Sequence, residues 1–145
     1  MNGAKEYNNP LLGTWRLNVA KCTYSPGPPP KSQTICFERV DNGLKVSTTV
    51  YEADGSTTLT HYVAMYDGAF HPVTGLDGVD MIRMYRIDEL TDGRIDRRNG
   101  VVNGHRLRTV AADRQSYSVL GSGTRANGVA FTYTLHYDKI SEPPA

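Results

Sequence analysis

The chain has 145 residues, 16 Lys and Arg against 15 Asp and Glu for a formal net charge of +1, and 39% hydrophobic residues. That length suits one domain burying roughly 70% of the surface its unfolded chain exposes, and the even charge balance argues against a nucleic-acid partner. No apolar run reaches the ~20 residues of a bilayer span, so the partner expected is a small molecule.

The opening "MNGAKEYNNP" (Met1–Pro10) lacks the apolar core of a secretory signal. It is expected to be a flexible tail, as is Ser141–Ala145, on a single domain spanning 1–145. The chain is expected in the cytoplasm or, alternatively, as an exported protein without its leader, and as a monomer or a homodimer. "LGTWRLNVAK" reads as the first strand, and "SPGPPPKS" (Ser25–Ser32) as a stiff crossing loop of polyproline character. Cys22 and Cys36 flank that loop. They stay reduced in a cytoplasm and could pair if exported. Two cysteines alone make no metal site.

Asx-Gly pairs punctuate the rest: Asn42-Gly43, Asp54-Gly55, Asp67-Gly68, Asp77-Gly78, Asp92-Gly93, Asn99-Gly100, Asn103-Gly104 and Asn127-Gly128. Such pairs tolerate the positive φ of tight hairpin turns. Between them lie runs rich in β-formers at "QTICFERV", Leu44–Ala53, Thr57–Tyr66, Val79–Asp88, Val101–Ala112, Ser116–Gly123 and Val129–Ile140, with shorter candidates near Ala69–Pro72 and Arg94–Arg97. The last run alternates strictly, with Val129, Phe131, Tyr133, Leu135 and Tyr137 on one face. The expected fold is all-β: one up-and-down antiparallel barrel of roughly eight to ten strands, which hides every strand edge. A two-sheet sandwich would need longer connections.

Placing the richer apolar face inward on each strand gives a lining of Thr48 and Val50, then Leu59, His61, Val63 and Met65, then Met81, Arg83 and Tyr85. His105, Leu107 and Thr109, Tyr117 and Val119, and Phe131, Tyr133 and Leu135 complete it. On Val79–Asp88, Ile82 and Met84 compete for the inner face, and a one-residue slip would exchange the whole set. Arg94, Arg97, Arg98, Arg106 and Arg108, diluted by Asp92 and Asp96, read as a solvated rim, with an anion site as the sharper alternative.

Gly13 two residues before Trp15, on the first strand of a meander, resembles the calycin superfamily: lipocalins, fatty-acid-binding proteins and their bacterial lipocalin-like relatives. The resemblance implies that Trp15 seals the barrel floor and that Gly13 makes room beneath it. It brings no T-D-Y motif and no Arg-x-Tyr pair on the last strand, which reads "FTYTLHY". Lys139 is the nearest substitute for the arginine that covers the tryptophan.

The function this implies is binding of a small, largely hydrophobic ligand in the cavity, as in a carrier. Val50, His61, Met65, Met81, Arg83, Tyr85, His105, Leu107, Val119, Phe131 and Tyr133 are the candidate ligand-binding residues. The alternative is a cofactor-independent lyase, isomerase or cyclase with His61 as base, Tyr133 as acid and Arg83 orienting an anionic group. His61, His71, His105 and His136 show no metal-binding spacing, and no cofactor is expected. His136 resembles the proximal haem ligand of nitrobindins, but the glycine-rich extension that follows G-x-W in that family is absent, so haem is only an alternative.

Overall fold

A computed structural model describes residues 9–142 apart from positions 42 and 77. The tails expected at 1–8 and 143–145 and the Asn42 and Asp77 turn positions lie outside the described residues. The strands are β1 (Gly13–Leu17), β2 (Thr23–Ser25), β3 (Ser32–Val40), β4 (Gly43–Tyr51), β5 (Thr57–Ala64) and β6 (His71–Pro72), followed by β7 (Met81–Asp88), β8 (Thr91–Arg98), β9 (Val101–Val110), β10 (Ser116–Thr124) and β11 (Ala130–Ser141). One 3₁₀ turn, Val19–Lys21, lies between β1 and β2. Among the described residues no helix is long and apolar enough to cross a membrane.

These strands form one 11-stranded antiparallel sheet in the order β5-β4-β3-β1-β11-β10-β9-β8-β7-β6, with β2 also on β11. The first and last long strands are therefore neighbours, and β1 sits between β3 and β11. The two ends of the path, β5 and the segment after β6, meet through a single bridge in which His61 N donates to Thr74 O at 3.3 Å. The sheet is a nearly closed barrel, the architecture expected from the spacing of the turns.

Two Asx-Gly pairs are not turns. Asp92-Gly93 lies within β8 and Asn103-Gly104 within β9, and the chain instead reverses at Glu89-Leu90. Gly93 is there for space, because its partner across the ladder is Tyr85, whose ring fills the place a Cβ would take.

The floor is built from the N-terminal side. Asn9 and Pro10, expected in a flexible tail, are buried. Asn9 Oδ1 accepts from Leu11 N at 2.9 Å, and the turn presents Leu11 O to the Trp15 Nε1–H at 2.8 Å. The indole is 0% exposed, meets Tyr117 edge-on at 4.8 Å between centroids, and has Lys139 Nζ 5.2 Å from its ring. Lys139 therefore covers the tryptophan. Phe37, Leu44, Ile82 and Met84 complete the apolar end of the core. Ser141, also expected in a tail, ends β11 against Thr14.

Gly13 has φ +120°, and a Cβ there would stand 2.6 Å from Ser141 O. Gly13→Ala is thus expected to cost about 1–3 kcal/mol, seen as a lower urea midpoint by circular dichroism. Gly55, at φ +90° with open space where a side chain would project, should tolerate Ala better.

Candidate ligand-binding site

The barrel holds a cavity of about 340 Å³. Its lining comes from alternate residues of the inner strand faces: Gln33 and Ile35 on β3, Thr48 and Val50 on β4, Thr58, Thr60 and Tyr62 on β5, and Arg94 and Asp96 on β8. Arg106 and Arg108 on β9, Tyr117 and Val119 on β10, and Phe131, Tyr133, Leu135 and Tyr137 on β11 complete the wall. Pro28 and Pro30 of the crossing loop close part of the mouth with Tyr24, Leu76, Val79, Glu52 and Arg125.

The inner face expected from sequence holds on β4, β10 and β11 and is reversed on β5, β7 and β9. Val50, Val119, Phe131 and Tyr133 line the cavity. His61 is exposed on the outer wall and Leu59 is 63% exposed, whereas Thr60 and Tyr62 point in. Met65 lies beyond the end of β5, half-buried and outside the cavity lining. On β7 the buried residues are Ile82 and Met84, so Met81, Arg83 and Tyr85 face out. Arg83 lies 5.8 Å from the Phe70 ring, and Tyr85 Oη bonds His105 Nε2 at 2.5 Å on the outside of the barrel. Leu107 is 36% exposed beside Leu120, its cross-strand partner, and Thr109 is likewise exposed. His61, Arg83 and Tyr133 therefore do not converge.

On β9 the reversal has a physical cause. The rule that apolar faces turn inward sends arginines out, and here the arginines go in because carboxylates accompany them. On β8, Asp92, Arg94 and Asp96 share the inner face, opposite Arg106 and Arg108 on β9. Arg108 Nε and Nη2 donate to the two Asp92 oxygens at 3.0 and 2.7 Å. Arg94 Nε and Nη2 donate to Asp96 at 2.6 and 3.1 Å. Burial alone would favour the neutral guanidine, but Asp92 and Asp96 outweigh it and hold Arg108 and Arg94 above the usual arginine range. Tyr66 Oη also donates to Asp92, at 2.7 Å.

Arg106 is different. It lines the cavity, and among the described residues no carboxylate pairs with it. Its Nη2 lies 3.5 Å from the Tyr62 hydroxyl. Burial opposes ionisation of that phenol, yet Arg106, Arg94 and Arg108 together hold it below the usual tyrosine range. Tyr117 and Tyr137, buried nearby, are pushed up. Arg94, Arg106 and Arg108, expected from sequence on a solvated rim with an anion site as the alternative, line the cavity instead, while Tyr62 does not stand out in the sequence. The available signal is D-x-R-x-D followed by R-x-R, a set of same-face charges that can pair only across a ladder.

Nearer the mouth the wall is aromatic. Phe131 and Tyr133 stack at 5.7 Å, with Tyr24 6.5 Å beyond Tyr133. The two β11 rings lie over Gly123 and Gly121, where a Cβ would meet them at 3.1 and 2.5 Å. The cavity thus combines the β8 and β9 arginines with an aromatic wall, and Arg125 at the mouth lies 5.0 Å over the Phe131 ring. His136 is outside it, with Nε2 3.4 Å from Asp138 Oδ1. Cys22 and Cys36 are free thiols, and no cluster of three or more metal-ligating side chains occurs among the described residues.

No family model matches the chain, and no curated protein matches it. Among solved structures, zebrafish ileal bile acid-binding protein complexed with cholic acid is similar in architecture, with a TM-score of 0.48 and 6% identity over 90% of this chain and 99% of that one. A likeness that slight carries over neither a family nor a ligand.

Removing Asp92 should expose the cost of the buried charge. Asp92→Ala is expected to lose about 3–5 kcal/mol, and a joint Asp92→Leu, Arg108→Met replacement to recover most of it, by urea unfolding. Tyr62 should also tilt stability with pH. A phenol held low when folded ionises before its unfolded counterpart, so stability rises as pH climbs through the folded value toward about 10 and is lost as pH falls back. Above that window the raised Tyr117 and Tyr137 oppose it. Tyr62→Phe should remove the rise in a series of unfolding curves.

Proposed function

We propose that the protein binds a small amphipathic anion inside the barrel, with the acidic head on Arg106 and the apolar body against the rings near the mouth. The observation that carries this reading is the charge pattern: two of the three deep arginines have their own aspartate, and Arg106 has none among the described residues. A cavity guanidinium without a counter-ion is costly unless water or a ligand supplies the missing oxygen. Its fork of N–H groups suits a carboxylate or sulfonate.

Val50, Val119, Phe131 and Tyr133 are, in this reading, apolar contacts of the ligand. The volume of about 340 Å³ falls in the range of small-molecule sites, at its lower end. Simple carriage needs no more than this. An oriented head and an apolar wall suffice, and the His61 and Tyr133 pairing of the enzymatic alternative has lost its geometry.

The test uses anilinonaphthalene sulfonate as a fluorescent probe, displaced by laurate or by dodecanol, which share a chain length and differ in charge. Saturable binding with laurate well ahead of dodecanol is expected. Arg106→Met should weaken laurate by roughly 10- to 100-fold, the loss of one charge-assisted contact, and leave dodecanol nearly unchanged. No saturable probe binding, or equal displacement by the two compounds, would refute the reading.

A further inference from the structure

Tyr62 has a position that simple carriage does not require. It is 7% exposed, lines the cavity, and stands with its hydroxyl 3.5 Å from Arg106 Nη2. Arg94 and Arg108 are both close enough to act on its charge. A group gripped by Arg106 is therefore delivered next to a phenol. We propose that the cavity enolises an α-keto acid, with Arg106 holding the carboxylate and neighbouring carbonyl and Tyr62 moving the proton. This rests on the anion-binding reading above and names the ligand class for the same site.

The choice of class follows from the pair. A guanidinium fork takes two oxygens in one plane, and an α-keto acid presents its carboxylate and carbonyl oxygens that way. The carbonyl acidifies the hydrogens on the adjoining carbon. Tyr62 as phenolate takes one of them. The C–H electron pair becomes the new C=C bond, and the carbonyl π pair moves to the oxygen beside Arg106, where the positive charge stabilises it. The phenol then returns a proton to that oxygen, giving the enol, or to the carbon, regenerating the keto form. Tyr62 ends as it began, and no oxidant, reductant or further reactant enters. The three nearby guanidiniums favour the phenolate that starts the cycle, against the cost of its burial.

Phenylpyruvate is the probe: it has the keto acid, an exchangeable carbon and an aromatic body for the mouth. Its binding is measured by displacement of anilinonaphthalene sulfonate, and its proton transfer by deuterium uptake on carbon in heavy water, followed by proton NMR. The wild-type chain should accelerate uptake over buffer alone. Tyr62→Phe should slow it roughly 100- to 10,000-fold at saturating phenylpyruvate, where weaker binding plays no part. His61→Ala, on the outer wall, should leave the rate unchanged.

A second readout holds even if Tyr62→Phe fails to fold. The wild-type rate should rise with pH through an inflection below the ordinary tyrosine range, set by Tyr62 with Arg94 and Asp96 of β8, Arg106 and Arg108 of β9 and Tyr117 of β10 around it. A flat profile overturns the assignment. So does phenylpyruvate that displaces the probe without gaining deuterium, or a Tyr62→Phe chain as fast as wild type; anion binding then stands and enolisation falls. If phenylpyruvate displaces nothing while laurate does, the keto-acid class is wrong. If neither does, both readings fall.

Discussion

A guanidinium can enter a β-barrel only where a carboxylate goes in with it, and the Asp92–Arg108 contact is where this chain meets that condition most fully. Two hydrogen bonds to one carboxylate, with Tyr66 donating to the same group, tie β8, β9 and the segment after β5 together. Arg108 also lies 5.1 Å over the Phe37 ring and 5.6 Å over Tyr117. The pair therefore joins the apolar floor to the polar chamber above it. Were the inner faces of β8 and β9 apolar, the same positions would pack solid with branched side chains, and the barrel would have a core where it now has a charged hollow.

The part of the fold that follows local rules is readable in the sequence. Turn chemistry locates most hairpins, and alternation locates β11, the longest strand, with its inner face of Phe131, Tyr133, Leu135 and Tyr137. Gly13 and Trp15 give away the floor, because few arrangements need a glycine there beside a large ring with one N–H to satisfy. Lys139 is readable for the same reason. What misleads is glycine inside a strand. Gly93 and Gly104 follow Asp and Asn as turn glycines do, yet they serve the ring of Tyr85 and the carboxylate of Asp96.

The site is harder to read than the scaffold, because the identity of an inner face is a property of pairs of strands. Taken singly, "HRLRT" on β9 turns its leucine in and its arginines out. Taken with β8, the register places Arg94 opposite Arg106 and Asp92 opposite Arg108. Only that alignment makes the charged face the cheaper one to bury. The same slip on β5 draws attention to His61 when its neighbour Tyr62 is the residue facing the arginines. The proposed acid–base chemistry accordingly moves one position along the strand.

The floor has a photophysical consequence. The chain's 1 tryptophan is shut off from solvent, while its 9 tyrosines are spread along the chain, with Tyr117 in edge contact with the indole. Light absorbed by the phenols around the hollow can pass to that one ring, whose emission reports the dryness and the lysine charge of the sealed end. The barrel carries its own lamp, one ring away from the hollow, since the Tyr117 that touches the indole also lines the cavity.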